Sequence, residues 1–291
     1  MAQSLKKQRS NTIGVIVPEI RHHFFATVIS GIENVAYDAG FIIIVCQSDE
    51  TLQREITNTR ALAANRVAGL IMAISLETTT FEHMKAVMKQ GIPLVQFDRV
   101  VPELNTGKVI IDDFRAAYKI TSHLIDCGYK RIGFLAGREG IALNQLRFNG
   151  YMQALKNYGI PYYPELHTGT GGCREEDGRI GADMYLAMGN PPDAILAIND
   201  PVAVGAFCRF REAGLRIPDD IALAGFSGSP ESALIDPPLT TINQPAFEMG
   251  RTAAALILKQ LNSIDENFIP ETVTLKTELL MRGSSLRREQ D

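Results

Sequence analysis

The chain has 291 residues, 45% of them hydrophobic and 21% charged, with a formal net charge of −4. This balance fits a globular protein with a sizeable core and excludes a bulk polyanion binder. No apolar run approaches the ~18–20 residues that a membrane-spanning helix requires.

Residues 1–10, MAQSLKKQRS, form a polar, basic leader holding a single leucine, Leu5, followed by Lys6, Lys7 and Arg9, and no acid appears before Glu19. The leader lacks the apolar stretch of a secretory signal, so a cytoplasmic location is expected. The run IGVIV then predicts a first strand. Phe25, Val28, Ile29, Ile32, Val35, Ala36 and Ala39 recur at helical spacing and predict a helix that buries one stripe, stopped by Gly40 at its C′ position. FIIIV, AGLIMAI and IPLVQF follow as short continuous apolar runs, the signature of parallel strands covered on both faces.

The second half repeats this plan. TIGVIVPEI recurs as RIGFLAGRE, and GIENVAYDAG from Gly31 recurs as GYMQALKNYG from Gly150 at the same offset. VAGLIMAIS pairs with PDAILAIND, and GIPLVQFD with DDIALAGFS. Alternating strands and helices predict an α/β protein with two similar doubly wound parallel-sheet lobes and a ligand cleft between them. Ligands of such sheets bind beyond the carboxyl ends of the strands. That rule selects RHHFF after the first strand, with Phe24 or Phe25 turned inward and the other free to stack on a ligand. It also selects Ser75, Asp98, the turn REGIALNQLR, Asn199 and Ser227. Asp200 before Pro201 reads as a helix N-cap, which leaves Asn199, both donor and acceptor, as the better ligand contact. His22 and His23 read as solvated loop residues. Cys46, Cys127, Cys173 and Cys208 are scattered, with neither a C-x-x-C pair nor metal-type histidine spacing, and read as thiols in a reducing compartment.

These motifs, in this order, resemble the LacI/GalR family of bacterial transcription regulators. The matching stretches include FFATVISGIENVAYDAGF, IPLVQFDR, GYKRIGFLAG, AILAINDPVAVGAF, GLRIPDDIALAGF and PPLTTINQPAFEMG, and the likeness runs from Ala2 to Leu286. The resemblance implies the periplasmic-binding-protein type I fold and an effector-sensing core, with a helix-turn-helix headpiece preceding residue 1. It matches AQSLKK to the end of a hinge helix whose Leu, here Leu5, wedges into the DNA minor groove. Two turns of helix are too short to be stable alone in water, so such a hinge is expected to order on DNA. The resemblance also assigns effector contacts to Arg147 and Asp98, places Cys173 where relatives carry an aromatic wall, and puts Gln244 at a lobe crossover. Ser227 departs from the Asp that many sugar-responsive members carry, which suits an effector that already bears negative charge, such as a sugar acid or sugar phosphate.

The expected domain plan is residues 1–10 as hinge remnant, 11–113 with 243–269 as the first lobe, 114–242 with 270–285 as the second, and 286–291 as tail. The expected partners are a sugar or sugar derivative, operator DNA and a second copy of the chain, without a membrane. LAGREG lacks the full dinucleotide spacing, so no cofactor is expected. No Ser/His/Asp order or paired catalytic carboxylates stands out, so the chain does not read as an enzyme. The alternative is a secreted sugar-binding protein serving a transporter, which shares the two-lobed fold.

Overall fold

The computed structural model describes residues 10–263 and 269–286, so the Leu5 assignment lies outside the described residues. The chain divides into two compact units, Met1–Ile110 with Pro245–Leu275 and Ile111–Gln244 with Lys276–Asp291.

The first unit runs β1 (Thr12–Val17), α1 (His23–Asp38), β2 (Ile42–Gln47), α2 (Leu52–Ala64), β3 (Gly69–Met72), α3 (Glu82–Lys89), β4 (Leu94–Phe97) and β5 (Gly107–Ile111). In the second follow α4 (Asp113–Asp126), β6 (Ile132–Ala136), α5 (Ala142–Asn157), β7 (His167–Gly169), α6 (Glu175–Leu186), β8 (Ala194–Ala197), α7 (Asp200–Glu212), β9 (Ala222–Ser227), α8 (Glu231–Leu234) and β10 (Thr240–Asn243). The chain then returns to the first unit for α9 (Ala246–Asn262) and β11 (Thr272–Leu275), and ends in the second with β12 (Glu278–Leu280).

Each unit holds a six-stranded sheet, in the orders β2-β1-β3-β4-β5-β11 and β7-β6-β8-β9-β10-β12. Strands β1 to β5 pair in parallel, as do β6 to β10, while β12 runs antiparallel to β10. The two orders are the same once the second unit is renumbered, so the sequence repeat is a structural repeat. The third crossing falls after Leu275 rather than after residue 269. Residues 272–275 add to the open edge beside β5, where Lys108 N–H donates to the Glu271 carbonyl, and that pairing keeps them in the first unit.

Burial explains most of the elements. β1, β3 and β4 are buried along their whole length, as are β6, β8 and β9, because helices cover both faces. β2 departs from that expectation. It is an edge strand, and Ile42 and Ile44 are 65% and 41% exposed. In α1, Phe24, Phe25, Val28, Ile32 and Ala36 form the buried stripe, and Gly40 (φ 79°) follows the Ala39 C-cap in the left-handed region.

Two glycines set how closely the helices approach. α1 packs on α9, and a Cβ on Gly31 would collide with the Phe247 carbonyl oxygen; α5 packs on α4, and a Cβ on Gly150 would collide with that of Phe114. Gly31 and Gly150 are the equivalent positions of the two repeat halves, so one helix-crossing device serves both units.

Candidate functional site

In the second unit, the carboxyl ends of β8 and β9 and the start of α4 meet around Arg147. This residue lies on α5 and is only 5% exposed. Its Nε donates to Asp113 Oδ1 at 2.8 Å and its Nη1 to the Ile198 carbonyl at 2.6 Å. The guanidinium carbon lies 3.7 Å from the centroid of the Phe226 ring. An arginine carries five N–H donors in a planar fork, and protein groups take two of them here. The remaining donors are held in a fixed plane with no protein acceptor among the described residues. Such a preset fork recognises vicinal hydroxyls or an acid group at little entropic cost.

Asp113 went unnoticed in the sequence, although it sits directly after the Asp112 cap, whose Oδ1 accepts from Arg115 N–H at 2.9 Å. The signal was the acidic doublet closing a strand. What hid it was distance along the chain, 34 residues from its partner.

The helix cap falls on Asn199 and not on Asp200. Asn199 is the N-cap of α7, accepting from Val202 N–H at 2.9 Å, and its Nδ2 donates to the Cys173 carbonyl at 2.8 Å. Asp200 lies inside the helix and is fully buried, accepting from Thr241 Oγ1 at 2.6 Å and Ser229 N–H at 2.7 Å. Pro201 then stands second in the helix, still within the first turn, where the helix has no use for the N–H that proline lacks. Burial pushes the Asp200 carboxyl above its ordinary range, against the hydrogen bonds that pull it down. Asp200 therefore clamps the loop after β9, and Asn199 clamps the loop that carries Cys173.

Ser227 ends β9 with φ 132°, a left-handed conformation that costs a non-glycine residue about 1–3 kcal/mol. It is buried, and its hydroxyl donates to the Phe226 carbonyl. Gln244 is 6% exposed and its backbone N–H donates to the Ser227 carbonyl at 3.2 Å. Cys173 is buried and is not part of a disulfide. Arg147, Cys173, Asn199, Ser227 and Gln244 thus share the strand-end region of one unit.

In the first unit, both Phe24 and Phe25 are buried at the start of α1, so neither is left over as an exposed stacking face. Their rings meet edge-on at 5.2 Å, and Phe25 meets Phe97 at 6.3 Å. The His22 ring abuts Phe25 at 5.7 Å rather than standing in solvent, and burial first, then Arg99, lowers its pKa. Asp98 follows β4 in the left-handed region (φ 55°). Its neighbour Arg99 is bound by Glu50, with Nη1 2.9 and 2.7 Å from the two carboxylate oxygens. Ser75 is fully buried, and its hydroxyl pairs with Thr78 Oγ1 at 2.9 Å, so it shapes its loop from within. Asp49, Glu50 and Asp98 all have positive φ at strand ends, and strain of this kind gathers where a ligand is held. Among the described residues no group of three or more His, Cys, Asp or Glu side chains is arranged to hold a metal ion.

Paired Rossmann-like units with polar, strained strand ends define a periplasmic-binding-protein-like effector core. The family model for the periplasmic binding protein-like domain matches residues 121–285. The HTH-type transcriptional repressor CytR of Escherichia coli (strain K12) is 32% identical over 285 residues, covering 98% of this chain and 82% of its own. The HTH-type transcriptional repressor PurR of Photobacterium profundum is also 32% identical over 285 residues, covering 98% and 84%. Among solved structures, the transcription regulator CcpA of Lactococcus lactis superposes with a TM-score of 0.85 at 27% identity, covering 95% of this chain and 99% of its own. A LacI family transcriptional regulator from Enterococcus faecium with bound ribose superposes with a TM-score of 0.83 at 29% identity, covering 94% and 98%. The chain belongs to the LacI family of transcriptional regulators and spans its effector-binding core. CytR and PurR are transcriptional repressors, and the two solved structures are transcriptional regulators.

Proposed function

We propose that this chain senses a sugar or sugar derivative through strand-end residues, Arg147 foremost, and uses that binding to set its affinity for operator DNA. The observation that carries the reading is the guanidinium of Arg147, pinned by Asp113 and the Ile198 carbonyl over the Phe226 face, with donors left for a ligand. The ribose bound to the Enterococcus faecium regulator and the cellobiose in the complex of the regulator CelR support the ligand class. Asp98, at the end of β4, is the proposed second polar contact, and Ser227 replaces a carboxylate that would repel an anionic effector. Sugar acids and sugar phosphates therefore belong in the candidate set with neutral sugars.

A coupling free energy of ~1–3 kcal/mol between effector and operator changes DNA affinity about 5–150-fold. The working unit is proposed to be a homodimer in the cytoplasm. Its support is the open edge of the first sheet, where Ile42 and Ile44 on β2 expose apolar surface that a second copy would cover around a two-fold axis.

A thermal-shift screen against pentoses, hexoses, sugar acids, sugar phosphates, nucleosides and purines tests the reading, because a ligand raises stability as ln(1 + [L]/Kd). The expected outcome is a concentration-dependent rise with at least one class. Flat melting curves across the panel contradict it.

A further inference from the structure

A buried carboxylate that takes no part in the proposed effector contacts organises the first unit. Glu55, in the first turn of α2, is fully buried. Its Oε2 accepts from Ser75 N–H at 2.6 Å and from Thr78 Oγ1 at 2.9 Å, and its Oε1 lies 2.8 Å from His83 Nε2 on α3. Glu50 adds a second carboxylate anchor to the loop after β3, its Oε2 accepting from Leu76 N–H at 2.8 Å while binding Arg99. A buried carboxylate is tolerated only when its lone pairs are filled, so Glu55 fixes the relative positions of the loop, α2 and α3 together.

The other end of α2 carries a different contact. The helix is about 20 Å long at 1.5 Å per residue. It closes with Arg66 N–H donating to the Ala63 carbonyl and Val67 N–H to that of Leu62, which places Arg66 in the left-handed region at φ 53°. The Arg66 carbonyl then accepts from both the N–H of Ser10, at 3.3 Å, and its Oγ, at 3.0 Å. Ser10 is where the described chain enters β1. One rigid helix therefore joins the loop at the ligand end of the sheet to the point where the chain arrives at the opposite end.

We infer that Glu55 is a positioning residue for regulation: by bolting the Ser75–Thr78 loop to α2, it makes the Ser10–Arg66 contact respond to the state of the effector end. The meaning of the two ends rests on the proposed function, but the physical content is a coupling between them. A helix held at one end by a three-way carboxylate and at the other by two hydrogen bonds moves as a body. Release of the first end loosens the second.

Hydrogen exchange on the full chain without any effector tests this directly. Glu55→Ala is expected to speed amide exchange about tenfold or more in residues 73–79, since a buried three-way acceptor is lost. The same variant is expected to speed exchange in residues 10–12 and 66–68, with peptides of the second unit unchanged. Glu55→Gln keeps the shape and one acceptor oxygen, so it is expected to show the same pattern at smaller amplitude. It also carries the test if the alanine variant fails to fold. Acceleration confined to residues 73–79 would make Glu55 a local brace and overturn the coupling. So would acceleration spread through both units, or none at all. Because no ligand enters the measurement, a failed effector screen and a failed coupling remain separate results.

Discussion

Arg147, the proposed effector contact, is held by protein groups in one orientation before any ligand arrives. Asp113 takes Nε and the Ile198 carbonyl takes Nη1, so the fork has one orientation over Phe226. Lysine cannot reproduce a planar fork, so Arg147→Lys is expected to lose effector affinity at least tenfold despite keeping the charge. Arg147→Ala strips the buried Asp113 of its guanidinium, and breaking such a pair costs about 3–5 kcal/mol. The double variant Arg147→Ala/Asp113→Ala is expected to recover part of that stability, by chemical denaturation, while leaving effector binding lost. A double variant less stable than the single would show that Asp113 does not depend on Arg147.

Buried histidines make the stability of the fold sensitive to acid. Burial lowers the pKa of His22, His123 and His167, and His123 Nε2 sits 2.7 Å from Ser285 Oγ beneath the C-terminal segment. An unfolded chain binds protons on these rings below about pH 6.5, while the native state binds them less readily. The unfolded state then holds more protons, so stability falls as pH drops through that point. His123→Gln is expected to flatten this fall between about pH 6.5 and 5, measured as melting temperature against pH. An unchanged slope would remove His123 from the acid response.

The elements were legible where burial is complete. Continuous apolar runs marked the covered strands, and the helical stripe of α1 appeared at Val28, Ile32 and Ala36 because helix and sheet periods differ. The helix-crossing role of Gly31 and Gly150 was not legible from either half alone. It follows from the carbonyls that approach them, which belong to helices other than their own. Gly31→Ala is expected to cost about 1–3 kcal/mol through forced separation of α1 from α9, read as a lower melting temperature. Gly40→Ala, where nothing stands within 4 Å of the added Cβ, carries only the left-handed backbone penalty of about 1 kcal/mol. Equal losses at the two sites would discount the helix crossing. The cap of α7 escapes the sequence for a related reason. Two adjacent residues both suit an N-cap, and only the buried hydroxyl of Thr241 and the N–H of Ser229, distant in sequence, decide which is drawn inward.

The repeat made the two sheets legible, since equal offsets between halves match equal topology. The edges were not legible, because an apolar strand such as β2 reads the same whether a helix or a second copy covers it. Ile44→Lys is expected to shift a dimer to monomer in sedimentation velocity at micromolar concentration, with the fold retained by circular dichroism. Persistence of the dimer would place its interface elsewhere. Partners of the proposed site were visible only as types: an arginine, a carboxylate and an amide at strand ends, with Asp113 supplied by the fold.

The proposed function requires that a small molecule be gripped by residues at the strand ends, with Arg147 as its principal polar contact. Calorimetric titration of the strongest ligand from the screen into the wild type, Arg147→Ala and Asp98→Ala measures this directly. Saturable binding by the wild type is predicted, with a loss of about 100-fold or more in Arg147→Ala and a smaller loss in Asp98→Ala. Undiminished affinity in both folded variants would place the ligand elsewhere and contradict the claim.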